Sequence, residues 1–204
     1  MIIKSLVLAS SLACLSTEAW AGDLVVKVTT PDGKPLPDAV VTLPAGAAAP
    51  KIAFPWKLEV AQTGKQFAPF VLIAPVGANV GFPNLDKFRH HVYSFSKGNK
   101  FELELYGRED KRVVPFKTVG VAALGCNIHD QMVAFIRVVD TPWAAKASED
   151  GIAQIKAAPD GKVKVTVWHP YAKAKDQSVT LDAVLVPGVT NLSAVLDITA
   201  PHAH

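Results

Sequence analysis

The chain has 204 residues, 21 Lys+Arg against 18 Asp+Glu, 50% hydrophobic residues and only 2 cysteines. That length holds one large domain or two small ones, and the apolar fraction is ample for a buried core, which excludes disorder for the chain as a whole. A net charge of +3 with no Lys/Arg run leaves no electrostatic footprint for nucleic acid, and two cysteines cannot make a disulfide framework.

Lys4, the apolar stretch Leu6 to Leu12 and the small-x-small triplet Ala19-Trp20-Ala21 read as a secretory signal over residues 1–21, cleaved before Gly22. The stretch is too short to span a bilayer, and no later segment has the unbroken apolar length of a transmembrane helix. An exported, periplasmic protein with no transmembrane segment is expected. Cys14 lies inside the signal, and Ser11 stands where a lipoprotein acceptor site has Leu, so lipidation is not expected. Removal of the signal leaves one thiol, Cys126, in a compartment where an exposed free thiol is oxidised or cross-linked.

From Asp23 the strand signals are dense. Leu24 to Val28 alternates, Pro31-Asp32-Gly33-Lys34-Pro35 turns, and Ala39 to Leu43 runs apolar, a pattern that predicts a hairpin. Pro44 to Pro50 is small and proline-flanked and reads as a linker or domain crossing. Short apolar runs follow at Leu58 to Ala61, Phe70 to Ala74, Asn79 to Phe82, His91 to Phe95, Phe101 to Leu105, Val119 to Leu124 and Val133 to Val139. Glu149-Asp150-Gly151 and Pro159-Asp160-Gly161 then punctuate runs at Ile152 to Ile155 and Val163 to Trp168, with Leu181 to Val186 and Leu192 to Ile198 beyond them. No stretch carries a long helical period, so the expected class is all-β, built as β-sandwiches.

Cys126-Asn127-Ile128-His129-Asp130-Gln131-Met132 sets a thiol, an imidazole and a thioether at three-residue spacing between two apolar runs, and His90-His91 upstream offers a fourth ligand. Two imidazoles, a thiolate and a weak axial thioether form the ligand set of a blue-copper electron-transfer site. Soft sulfur suits Cu(I) and imidazole suits both oxidation states, so one cage tolerates both with little rearrangement. Strand alternation does not choose between His90 and His91. Taken singly, each residue also has a plainer reading: Cys126 as a buried thiol, Met132 as core filling, His129 as a loop histidine. His169, between Trp168 and Pro170, reads as structural, and His202 and His204 as a frayed tail. No paired carboxylates or Ser/His/Asp spacing suggests catalysis.

Asn79-Val80-Gly81-Phe82-Pro83-Asn84, His90 and Cys126-x-x-His129-x-x-Met132 resemble the cupredoxin family, the plastocyanin and amicyanin group, with a ligand loop most similar to amicyanin. The resemblance covers residues 51–140. It implies a cupredoxin Greek-key sandwich with one type 1 copper held by His90, Cys126, His129 and Met132, with His91 as the alternative to His90. Two departures stand out: His91 occupies the place where the family has an Asn that ties the ligand loops together, and Leu124-Gly125 stands where plastocyanins carry an aromatic residue. The whole chain resembles exported cupredoxin-containing proteins called methylamine utilization proteins.

Residues 24–43 and 149–168 are similar to the opening and middle of carboxypeptidase-regulatory-like, or transthyretin-like, β-sandwiches. The expected organisation is a split sandwich, 22–46 plus 144–200, around a copper domain at 50–140, with a tail at 201–204; a serial arrangement of two sandwiches is the alternative. The resemblance implies a non-enzymatic electron carrier whose partner is a c-type cytochrome or a periplasmic amine-oxidising dehydrogenase. A copper-handling protein without electron transfer and a metal-free interaction protein are the competing readings.

Overall fold

The computed structural model describes residues 20–47 and 49–199, without the side chains of Trp20 and Ala21. The expected signal up to residue 19, Cys14 within it, and the tail with His202 and His204 lie outside the described residues. The chain is all-β, with sixteen strands and a single 3-10 turn among those residues. In order they are β1 (Trp20–Thr29), β2 (Val40–Thr42), β3 (Ala61–Thr63), β4 (Gln66–Ala68), β5 (Val71–Pro75), β6 (Ala78–Gly81), β7 (His90–Ser94) and β8 (Phe101–Tyr106). Then come β9 (Val113–Phe116), β10 (Gly120–Cys126), β11 (Val133–Val139), β12 (Ala144–Lys146), β13 (Ile152–Pro159), β14 (Gly161–Trp168), β15 (Ser178–Leu185) and β16 (Gly188–Val195).

β1 lies between β13 and β16 in a three-stranded sheet, and β2 lies between β12 and β14 in a four-stranded sheet that ends at β15. β1 and β2 therefore do not pair as a hairpin. The turn closes locally through Thr30 N–H to the Lys34 carbonyl and Leu36 N–H to the Val28 carbonyl. Asp38, at φ 60°, then redirects the chain into the opposite sheet. Leu24, Val26 and Val28 from one sheet and Val41 and Leu43 from the other meet in a single buried core. Alternation requires only that these residues face a common core, and two facing sheets satisfy it as well as one hairpin does.

Residues 61–139 make their own sheets: a five-stranded sheet in the order β5-β11-β10-β7-β8, and the pairs β6-β9 and β3-β4. Their shared core includes Phe82, Val92, Tyr106, Phe116, Leu124 and Ile136. The two sandwiches meet along a seam where Val40 and Trp168 on one side pack with Val71, Ile73, Phe135 and Val139 on the other. Phe135 and Trp168 touch edge to face at 6.3 Å between centroids, a geometry that aromatic quadrupoles favour.

Candidate metal centre

β7 and β10 are adjacent antiparallel strands, with Cys126 opposite Val92 and Gly125 opposite Tyr93. This register puts the start of β7 beside the end of β10, so His90 and Cys126 converge at one end of the sheet. Met132 N–H donates to the His129 carbonyl at 2.9 Å, closing the loop that links β10 to β11. Cys126 and Met132, 2% and 1% exposed, belong to the same core cluster, whereas His129 keeps partial exposure.

The ligand atoms of His90, Cys126 and His129 all lie within 4.8 Å of one another. Cys126 Sγ is 3.7 Å from His90 Nδ1. Metal bonds of about 2.3 Å to sulfur and 2.0 Å to nitrogen, opened to a trigonal angle, give a separation of about 3.7 Å, so the pair has the spacing of two donors on one ion. His129 Nδ1 is buried and has no hydrogen-bond partner, an orphan that a cation on the same point accounts for. The residues present fit a copper ion.

His90 and His91 are separated plainly. His90 is fully buried and turned toward Cys126, while Nε2 of His91 pairs with Glu102 Oε1 of β8 at 3.0 Å. His91 thus does not tie the ligand loops together as the family's Asn does.

The far nitrogen of His90, Nε2, lies 2.8 Å from Asp86 Oδ2. Asp86 also accepts from the backbone N–H groups of Gly64 (2.7 Å) and Lys65 (3.1 Å), the two positive-φ residues that turn β3 into β4. Burial pushes the Asp86 pKa up, but the hydrogen bonds from His90, Lys65 and Gly64 outweigh it and hold the carboxyl below its ordinary value. A carboxylate only accepts, so Nε2 carries a hydrogen and Nδ1, the nitrogen on the Cys126 side, is the one left for a metal. Asn84 braces the same loop, donating to the carbonyls of Phe88 (2.8 Å) and Tyr106 (3.1 Å) and accepting from Asp86 N–H at 2.9 Å.

Sequence reasoning missed Asp86, Phe88 and Tyr93. Phe88, 40% exposed, packs against both imidazoles, at 5.0 Å from His90 and 5.5 Å from His129. Tyr93 covers Gly125, so an aromatic ring stands beside the cysteine but comes from the neighbouring strand.

No family model matches the chain, and no curated protein matches it. Among solved structures, it is similar to a Cu-containing nitrite reductase from Thermus scotoductus, at 29% identity and a TM-score of 0.39 over 47% of this chain. It is also similar to a purple cupredoxin from Nitrosopumilus maritimus, at 24% identity and a TM-score of 0.36, over 40% of this chain and 98% of that one. A reduced Cu(I) form of an amicyanin mutant aligns at 19% identity and a TM-score of 0.38, over 48% of this chain and 98% of that one. Its structural neighbours are cupredoxins. The chain spans about a quarter of the nitrite reductase it matches.

Proposed function

We propose that this protein is an exported single-copper electron carrier of the type 1 kind, with His90, Cys126 and His129 as the principal ligands and Met132 as the weak axial one. The observation that carries the reading is the convergence of two imidazoles and a buried free thiol on one point, with an orphaned His129 Nδ1 among them. Copper held there supplies a one-electron couple. The chain's own residues do the rest: Asp86 fixes the tautomer and ring plane of His90, the β7–β10 ladder fixes Cys126, and the buried core excludes water from the thiolate.

His129 is the partly exposed ligand, so it is the route by which an electron enters or leaves. Phe88, packed on its ring, and the neighbouring Ile128 are exposed beside it, with Lys65 reaching over the Phe88 ring at 6.0 Å. Such an apolar tip with a cationic edge suits brief docking of an acidic-surfaced redox protein; a c-type cytochrome or an amine-oxidising dehydrogenase of the methylamine kind is the proposed partner. With four ligands the site leaves no position for substrate, which supports a carrier over an enzyme. Residues 1–21 are proposed as the export signal; among the described residues no helix is long and apolar enough to cross a membrane.

We further propose that residues 22–46 plus 144–200 fold as one domain around a copper domain at 50–140. The pairing of β1 with β13 and β16, and of β2 with β12 and β14, supports this division.

The test is copper titration of the metal-free protein followed by voltammetry. One equivalent bound with a reversible one-electron wave is expected; no uptake, or uptake without a reversible wave, overturns the carrier.

A further inference from the structure

Three buried side-chain nitrogens among the described residues have no hydrogen-bond partner: His129 Nδ1, Arg137 Nε and Trp168 Nε1. The first belongs to the metal centre. The other two lie together on the seam between the sandwiches, with the Arg137 guanidinium 5.6 Å from the Trp168 ring. An orphaned buried polar group costs on the order of 1–3 kcal/mol, so Arg137, which also faces open space, calls for an account.

Both groups are donors with no acceptor capacity. Arg137 sits on β11, an interior strand of the five-stranded sheet, with Ile73 and Val121 opposite it on the strands to either side. It points, like Phe135 two residues before it, toward the facing sheet that carries Trp168. Next to this dry seam the sheets part into a cleft of about 310 Å³. Its far wall carries Thr42, Thr166 and Thr180, which are direct cross-strand neighbours on β2, β14 and β15. Thr166 and Thr180 hold their hydroxyls 3.5 Å apart. Lys164 and Asp140 also line the cleft. Lys164 is engaged by Asp182 at 2.8 Å; Asp140, exposed, acts on the guanidinium through its charge without closing an ion pair with it among the described residues, which leaves Arg137 Nε without a hydrogen-bond partner.

We propose that this cleft between the two sandwiches binds a small oxyanion, a carboxylate or phosphate group, with Arg137 as its anchor and the hydroxyls of Thr42, Thr166 and Thr180 completing the cradle. Arginine presents a planar fork of donors that matches two oxygens of such a group at once, and a cleft of this size lies at the small end of ligand pockets. The site is far from the metal ligands in the sheet: Arg137 lies near the opposite end of β11 from Met132. Occupation would tie the two sandwiches together at the open end of their seam.

The test is side-chain nitrogen NMR of the full chain during titration with sodium phosphate and, separately, sodium acetate, at an ionic strength held constant with sodium chloride. The Arg137 Nε–H signal is expected to shift saturably with at least one of the two, and the stronger of them identifies the class of oxyanion. Arg137→Lys should weaken the binding at least tenfold, since a lysine cannot offer the fork. Thr166→Val, a change on the cleft wall that leaves the guanidinium and its packing on Trp168 in place, should weaken it several-fold with an unchanged Tm. An Arg137 signal that does not move, or that moves equally in sodium chloride alone, would mean that water satisfies this donor and overturn the proposal, as would full affinity in both variants.

Discussion

The carboxylate of Asp86 holds the His90 ring from behind, accepting from Nε2 at 2.8 Å while it also accepts from two backbone N–H groups of the β3–β4 turn. Three separate elements thus meet at one side chain: the hairpin turn, the loop before β7 and a proposed copper ligand. Asp86→Ala removes all three bonds, frees the ring to rotate and leaves the N–H groups of the turn without their acceptor. Copper affinity is expected to fall about 10–100-fold, the usual cost of losing such a supporting group. Competition titration against a copper chelator checks this, and affinity unchanged within twofold would count against the positioning role.

Gly125 is the second fixed point. A Cβ built on it would lie 2.6 Å from the Tyr93 ring, closer than any two carbons pack, so Gly125→Ala must displace a ring in a cross-strand pair. A loss of about 1–3 kcal/mol is expected from such overpacking. In the background Tyr93→Ala the same change should cost far less. Urea unfolding of the four proteins of this cycle gives the coupling, and additive losses would contradict the contact.

A third expectation concerns acid. Burial depresses the His169 pKa from 6.5 to about 4, partly offset by the nearby Asp38 charge, and its Nδ1 accepts from the Tyr171 N–H at 3.2 Å. Because the folded-state value lies below the unfolded one, the neutral ring's contribution is full above pH 6.5 and is lost as pH falls toward 4. The unfolded chain takes up the proton across that window and the folded one does not. The loss amounts to about 3 kcal/mol. His169→Asn keeps an acceptor and cannot titrate, so its urea midpoint should fall less than the wild type's between pH 7.5 and 4.5. Parallel decline of the two proteins would exclude His169 as the acid-sensitive group.

The seam supplies a fourth. Phe135 touches Trp168, Phe70 and Tyr171, and truncating a buried aromatic costs about 3–5 kcal/mol. Phe135→Ala is expected to destabilise the protein by that amount and, because it removes the ring that bridges the sandwiches, to resolve one calorimetric transition into two. A single sharp transition in the variant would argue against two separately folding units.

Much of this was legible in the residues and some was not, for physical reasons. Proline and glycine punctuation with period-two runs marked β5, β6, β8, β10, β11 and β14 to within a residue or two, because those strands bury one or both faces. The hairpin expected over 24–43 instead places its strands in facing sheets, since alternation reports which side is buried and not which neighbour is hydrogen-bonded. The trio Cys126, His129 and Met132 was readable because one loop holds it. Choosing His90 over His91 rested on family likeness, and the structure separates them by turning His90 toward Cys126 and pairing His91 with Glu102. Asp86 and Tyr93 left no mark: a carboxylate four residues before a histidine, or a tyrosine on another strand, acquires meaning only once register places it. Arg137 is the one charged residue of β11, and its surroundings exist only once the second sandwich packs over the sheet.

The most direct test of the account is the visible and paramagnetic resonance spectrum of the copper-loaded protein beside that of Cys126→Ser. If the thiolate of Cys126 is bound to Cu(II), the wild type shows an intense visible charge-transfer band that Cys126→Ser loses, while Met132→Ala keeps copper with a shifted potential. A wild-type protein that binds copper without that band, or a Cys126→Ser variant with an unchanged spectrum, would contradict the assignment of the site.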